Sequence, residues 1–366
     1  MSSSRVKIGI VVGARPNFMK AAPILRAMKN GNFNPILIHT GQHYDFLMSD
    51  VFFRDLDMPS PDIYLGIGSM EREMQIEAIR IALEKEFPKI NPDLVMVVGD
   101  VNSTIAAAEA AKNLGIKVAH VEAGLRSGDL SMAEEINRIE TDKIADFLFT
   151  TEESANSNLK NEQVRGAIHF VGNTMIDSLV QNLEKIENSE ILEKLNLIAR
   201  KYTVLTLHRP SNVDNLDKLK MIFTAFAANR FLKIVFPVHP RTRHKMQELS
   251  SKTDIRTGII DTEPLGYADF IKLVKNSKLV MTDSGGIQEE TTYLGIPCLT
   301  IRNTTERPIT VKIGTNTLVT EEDLIDDKKL QEKIMAGQHK RGRAPELWDG
   351  KAAERIVGVL AGVLAK

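Results

Sequence analysis

The stretch MTDSGGIQEE, Met281 to Glu290, decides how this chain is read. With the residues before it, the apolar run KLVMTD has the length and composition of a buried parallel strand. Ser284-Gly285-Gly286 is a tight turn, and Ile287 onward has helical character. A strand feeding a glycine turn and then a helix gathers free backbone N–H groups and the positive end of a helix dipole at one point. That geometry binds phosphate. Glu289 and Glu290 follow about one helical turn in, where a carboxylate can accept hydrogen bonds from sugar hydroxyls. Glycine turns also punctuate ordinary strand–helix connections, so on this motif alone a purely steric reading stays open.

Outward from this stretch the same alternation repeats. YTVLTLHR, LKIVFPVHP, IRTGII and IPCLTIR are strand-like, each followed by a helical or loop segment. The first half has VKIGIVV (Val6–Val12), PILIHT, DLVMVVGD, KVAHVEAG, DFLFT and AIHFVGN. Between them helices are expected over Phe18–Lys29, with Pro23 in its first turn, over Met70–Phe87 with Pro88 as the stop, and over Ser103–Leu114. Ser131 to Glu134 fits a capping box whose helix buries Ile136, Ile139 and Ile144, with Phe147 beyond it. A long charged helix after Gly172-Asn173 runs to about Arg200 and is the linker, and Lys351–Ala365 is a final helix. Roughly a dozen strands in two similar halves predict an α/β fold of two doubly wound, Rossmann-like domains rather than one barrel.

The 366 residues suffice for two domains, and 43% hydrophobic with 26% charged residues is ordinary globular composition. A net charge of −1 gives no electrostatic case for a nucleic-acid or membrane partner, so any anion must be gripped locally. One cysteine, Cys298, excludes an intramolecular disulfide framework, and no apolar run approaches a bilayer span. A cytoplasmic protein is expected.

Ligands of open parallel sheets sit outside the carboxyl ends of the strands. Those ends carry Gly13-Ala14-Arg15, Gly41-Gln42-His43, Gly99-Asp100, Glu122-Ala123-Gly124, His208-Arg209, His239 and Asp283 to Gly286, with Glu306 and Arg307 after the next strand. Two domains with facing strand ends would place these around one cleft. Each has a plainer reading: Asp100 as a helix cap, Glu134 as the capping-box carboxylate, His208 as a loop histidine, Arg15 as a surface charge. The histidines show no metal-ligand spacing, the first turn lacks the dinucleotide fingerprint, and a P-loop is absent. A diphosphate-type turn, several carboxylates and Arg15, Lys20, His208 and Arg307 remain, which is a kit for a nucleotide sugar.

The motifs GARPNFMK, TGQH, GDVNST, HVEAGLRSGDLSMAEEINR, VGNTMID, LHRPSN, PVHP, TDSGGIQEE and TTERP stand in this order along the chain. In them the chain resembles the non-hydrolysing UDP-N-acetylglucosamine 2-epimerases over essentially its whole length. The resemblance implies a fold of the glycosyltransferase B type. An N-terminal domain over 1–172 would carry the sugar-side carboxylates and a C-terminal domain over 173–349 would bind UDP, with a helix over 350–366 crossing back. It implies phosphate binding at Arg15, Ser284, Gly285 and Gly286, ribose binding at Glu290 and a uracil-side position at Phe270. The catalytic positions match Asp100, Glu122, Glu134 and His208, the basic cleft positions match Lys20 and Arg307, and Arg138 completes EEINR. Gln42 and His43 match the pair near which bacterial members bind activating substrate. Many members carry proline where this chain has Ala133. A homodimer is implied, with UDP-N-acetylglucosamine and UDP as ligands and no redox cofactor or metal.

Carbon 2 of that sugar holds a proton that no adjacent carbonyl acidifies. The family's route is to eliminate UDP, giving 2-acetamidoglucal, and to add it back after protonation from the other face. Departure of the diphosphate builds negative charge for Arg15, the helix N-terminus and protonated His208 to stabilise, while inversion calls for more than one acid/base group. A glycosyltransferase of the same fold, or a hydrolysing epimerase releasing ManNAc and UDP, are the alternatives.

Overall fold

The computed structural model describes residues 5–29, 31–42, 53, 55–228, 233–250, 258–320, 322–323 and 339–364. The chain divides into two compact units, Met1–Asn182 with Glu346–Lys366, and Leu183–Pro345. The first unit is built on β1 (Val6–Val12), β2 (Phe33–His39), β3 (Ile63–Tyr64), β4 (Leu94–Val98), β5 (Lys117–Ala123), β6 (Phe147–Thr150) and β7 (Ala167–Phe170), in the order β3-β2-β1-β4-β5-β6-β7. The second is built on β8 (Tyr202–Thr206), β9 (Lys233–Pro237), β10 (Ile259–Thr262), β11 (Leu279–Thr282), β12 (Cys298–Ile301) and β13 (Asn316–Val319), in the order β10-β9-β8-β11-β12-β13. The pairings are parallel, as in Val11 with Val97 and Met281 with Leu205. The expected α/β class, two doubly wound units, is what the chain adopts.

Helices of the first unit are α1 (Arg15–Met28), α2 (Arg72–Ile90), α3 (Asn102–Asn113), α4 (Ala133–Ile144), α5 (Glu153–Asn161) and α6 (Thr174–Gln181). The second unit adds α7 (Leu183–Glu187), α8 (Ile191–Lys194), α9 (Pro210–Val213), α10 (Leu216–Ala228), α11 (Pro240–Ser250), α12 (Tyr267–Asn276), α13 (Gly285–Leu294) and α14 (Pro308–Lys312). The last helix, α15 (Ala352–Leu364), packs on α1 and α6 of the first unit. Asp177 of α6 accepts hydrogen bonds from the Ala352 and Ala353 amides at 3.1 and 2.7 Å, which satisfies two of the donors that a helix start leaves open. No described helix is long and apolar enough to cross a membrane.

Each sheet is buried on both faces, so its strands read as unbroken apolar runs. Val11, Val95, Val97 and Leu148 pack with Ala106, Ala107 and Ala110 of α3, whose small side chains let that helix lie close to the sheet. In the second unit Leu205, Phe236, Met281 and Leu299 face one core cluster, while Val204, Val235, Val280 and Cys298 face another.

Several local expectations are corrected. α1 begins at Arg15, with Pro16 in its first turn, so Pro23 lies in the helix interior. A proline there cannot donate to the carbonyl four residues back. That carbonyl, of Met19, instead accepts the Ser178 hydroxyl from α6, so the interior proline leaves no orphan. Pro88 falls inside α2, which ends at Asn91 in a left-handed cap (φ 48°). The single helix to about Arg200 is broken into α6, α7 and α8, with Asn182 and Asn188-Ser189 at the breaks. β3 and β13, of two and four residues, were not anticipated. The capping box at Ser131 does not form: Met132 is the N-cap of α4, with no side-chain bond. The buried side of α4 is Glu135, Asn137, Arg138, Thr141 and Asp142, while Ile136, Ile139 and Ile144 are half-buried.

Candidate active site

In each unit the polar residues gather where the strand order reverses. In the first unit that point lies between β1 and β4, and chain leaving the two strands passes through Gly13 to Arg15 and Gly99-Asp100. Lys20, one turn into α1, is buried, and its Nζ lies 2.7 Å from Glu122 Oε1 at the end of β5. Gly99 has φ +69°, and a Cβ there would lie 2.8 Å from that ammonium, so both the backbone and the close approach require glycine. Glu122 itself has φ +71°, beside a register shift between Val121 and Ala123. A non-glycine residue in that region costs about 1–3 kcal/mol, and here the bulge and the ion pair hold it in place.

Asp100 meets Arg138 of α4 in an ion pair, and the same guanidinium lies 3.0 Å from Glu135. Glu135 also accepts the amides of Ser127 and Gly128 at 2.9 Å. Asn137 Nδ2 donates to the Asp100 carbonyl at 3.0 Å. Asp100 is therefore a paired carboxylate, and the N-cap of α3 is Val101 instead. Glu134 lies on the exposed side of the first turn of α4, about 100° around the helix from buried Glu135. Arg15 is exposed at the start of α1. Gln42 is buried; its Oε1 accepts the Ser103 amide at 3.0 Å and the Ser103 hydroxyl at 2.7 Å, tying the β2 end to the start of α3. His43 lies outside the described residues.

Behind these groups stands a buried pair that sequence reasoning did not single out. His120 of β5 lies with Nδ1 2.7 Å from Asp142 Oδ1 and with Nε2 2.7 Å from the Gly99 carbonyl oxygen. The second Asp142 oxygen takes the Gly124 amide at 3.0 Å and lies 2.8 Å from Arg126. Burial pushes the Asp142 carboxyl up, but His120 and Arg126 more than offset it and hold the group below the usual carboxylate range.

The second unit has its own reversal between β8 and β11. α13 starts at Gly285, so its free amides face the space beyond β11. Asp283, fully buried, accepts the amides of His208 and Arg209 and lies 2.9 Å from His208 Nδ1. Burial alone would raise its pKa; His208 and these amides bring it below the ordinary value. His208 is partly exposed, with the His239 ring 5.8 Å away.

Arg307 is buried in ion pairs with Glu306 and, at 2.9 Å, with Glu289. A Cβ on Gly285 would fall 2.6 Å from Glu306 Oε1 and 2.7 Å from Arg307 Nη1, so this glycine lets the pair lie against the start of the helix. Glu290 accepts the Tyr267 hydroxyl at 3.1 Å, and burial followed by that carboxylate raises the tyrosine pKa well above its usual value. Ser284 and Gly286 are half-buried at the turn, and Phe270 is half-buried on α12 beside the core. Asp283 and Glu306 stood among the strand-end residues without a role of their own; a carboxylate between an apolar strand and a glycine turn was the available signal for Asp283. Among the described residues no three His, Cys, Asp or Glu side chains converge as metal ligands.

A family model described as UDP-N-acetylglucosamine 2-epimerase matches residues 26–361. A relative from Methanococcus maripaludis, described as a UDP-N-acetylglucosamine 2-epimerase homolog, is 43% identical over 364 residues, covering 97% of this chain and 99% of its own. A crystal structure of Methanocaldococcus jannaschii UDP-GlcNAc 2-epimerase in complex with UDP-GlcNAc and UDP superposes with a TM-score of 0.89 at 41% identity, covering 98% of this chain and 100% of that one. A Pseudomonas aeruginosa relative, UDP-2,3-diacetamido-2,3-dideoxy-D-glucuronate 2-epimerase, is 38% identical over 321 residues, covering 86% of this chain and 88% of its own.

Proposed function

Because the chain belongs to the UDP-N-acetylglucosamine 2-epimerase family, we propose that it interconverts UDP-N-acetylglucosamine and UDP-N-acetylmannosamine without net hydrolysis. The observation that carries this reading is the set of carboxylates at the first reversal point, Glu122 held by Lys20 and Asp100 held by Arg138. Transfer to an acceptor needs fewer acid/base groups around carbon 2 than inversion does.

In the forward half a carboxylate takes the proton from carbon 2. The C1–O bond to UDP breaks with its electron pair going to the diphosphate oxygen, and a C1=C2 double bond forms. In the return half UDP oxygen re-adds at carbon 1 while a second acid delivers a proton to the opposite face of carbon 2. Asp100, Glu122 and exposed Glu134 are the acid/base candidates. Departing negative charge is met by the α13 N-terminus, Arg307, Arg15 and His208, with Glu290 and Phe270 serving the nucleoside. Asp283, 2.9 Å from His208 Nδ1, orients the ring. The enzyme acts as a homodimer on this reading.

Proton NMR in deuterated water with UDP-N-acetylglucosamine tests the proposal. Deuterium at carbon 2 together with UDP-N-acetylmannosamine is expected. Free ManNAc would indicate the hydrolysing reaction instead, and absence of exchange would remove the epimerase reading. The Pseudomonas relative gives one specific reason to run the diacetamido-glucuronate nucleotide in parallel, as the substrate of a second reading.

A further inference from the structure

We infer that His120 is a positioning residue for the reaction, setting through its two ring nitrogens the turns that carry Asp100 and Glu122. The inference rests on the reading above, in which those two carboxylates serve carbon 2. His120 is fully buried, and each ring nitrogen faces an acceptor. Nε2 holds the carbonyl of Gly99, the residue before Asp100, in a turn with φ +69° whose amide donates to the Val121 carbonyl at 3.0 Å, so the peptide entering Asp100 is fixed from the β5 side. Nδ1 holds Asp142, whose other oxygen takes the amide of Gly124, two residues beyond Glu122. One histidine–carboxylate pair thus joins the exits of neighbouring strands β4 and β5, where the two carboxylates of the proposed chemistry stand. Asp142 also faces Arg126, so the pair is anchored on the α4 side by a cation.

The geometry separates this role from mere packing. In an asparagine the amide nitrogen reaches about the position of Nδ1, and in a glutamine about that of Nε2. His120→Asn therefore keeps the bond to Asp142 and releases Gly99, whereas His120→Gln keeps Gly99 and releases Asp142. Both lose one buried hydrogen bond, but only the first frees the turn before Asp100. Misplacement by about 1 Å costs on the order of 100-fold in turnover. The expected result is kcat lowered about 30- to 100-fold in His120→Asn and about threefold in His120→Gln, with the dissociation constant for UDP unchanged in both.

Turnover and carbon-2 exchange are measured on the full chain, with UDP affinity by calorimetry and folding by thermal melting. Equal losses in the two variants, or the reverse order, overturn the inference. If His120→Asn does not fold, Asp142→Asn decides. It keeps the side-chain shape and the His120 bond to Gly99 but offers His120 a weaker acceptor, so kcat should fall about threefold, no more than in His120→Gln, at unchanged UDP affinity; a loss of about tenfold or more, or an unchanged kcat, overturns the inference. A wild-type protein inactive on UDP-N-acetylglucosamine would instead sink the proposed function.

Discussion

Lys20→Met is the most informative single perturbation of the first unit. It preserves the length and apolar stem of a side chain that is 3% exposed, and it removes the ammonium 2.7 Å from Glu122, which is 1% exposed. Removing one partner of such a buried pair costs about 3–5 kcal/mol, because the remaining charge is left without compensation. At about 2–4 °C per kcal/mol for a unit of this size, the melting midpoint should fall by roughly 10 °C. Glu122→Gln leaves the opposite charge stranded and should cost a similar amount. The double variant strands neither charge, so its loss should be smaller than the sum of the two by at least about 2 kcal/mol. The single tryptophan, Trp348, offers a local reporter: it is buried in this unit and donates to the Thr151 carbonyl at 2.9 Å. Urea unfolding followed by its fluorescence gives all four corners of the cycle. A loss under about 1 kcal/mol for Lys20→Met, or strict additivity in the double variant, would refute the view that the pair holds Glu122 in its left-handed backbone.

Two further outcomes follow from the geometry. Gly285→Ala should weaken UDP binding about tenfold or more in calorimetry while changing stability by less than about 1 kcal/mol, because the new Cβ displaces only the flexible ends of Glu306 and Arg307. Unchanged UDP affinity would remove this turn from the nucleotide site. Burial lifts the Asp177 pKa from 3.8 to about 6, so this group's contribution to stability is full below 3.8 and is lost as pH rises through 6. Asp177→Asn carries no such titration, and from pH 4 to 7 its urea stability should gain on wild type by up to about 3 kcal/mol. A pH-independent difference would mean that the Asp177 pKa is not raised.

The fold was legible because parallel strands covered on both faces read as apolar runs, and because glycines mark the exits of β4, β5 and β11. β3 and β13 escaped notice, since two and four residues give too short a pattern to separate from loop. Pro23 misled because a proline is normally confined to a first turn, and the donor that rescues the Met19 carbonyl comes from Ser178, 159 residues away. At the site, strand ends pointed to Asp100 and Glu122 and the family motif EEINR to Arg138, but partnering was invisible. Nothing local says that Lys20 reaches Glu122, or that Glu135, and not its neighbour Glu134, turns inward.

That last difference explains why α4 defeats hydrophobic periodicity. Its inward face carries Glu135, Arg138 and Asp142, each paired: Glu135 with two amides and Arg138, Arg138 with Asp100, Asp142 with His120, Arg126 and Gly124. Apolar side chains at the same positions would stabilise the unit at least as well, since desolvating such ions offsets most of their attraction. What they would not do is fix the direction of a carboxylate. Hydrogen bonds and ion pairs are directional, and a dispersion contact is not. The polar face of α4 therefore trades packing for orientation at the exits of β4 and β5, while half-buried isoleucines keep the helix on its neighbours. A capping box would have spent the first glutamate on the helix's own amides; with Met132 as N-cap, Glu134 remains exposed and Glu135 anchors the loop at Ser127 and Gly128.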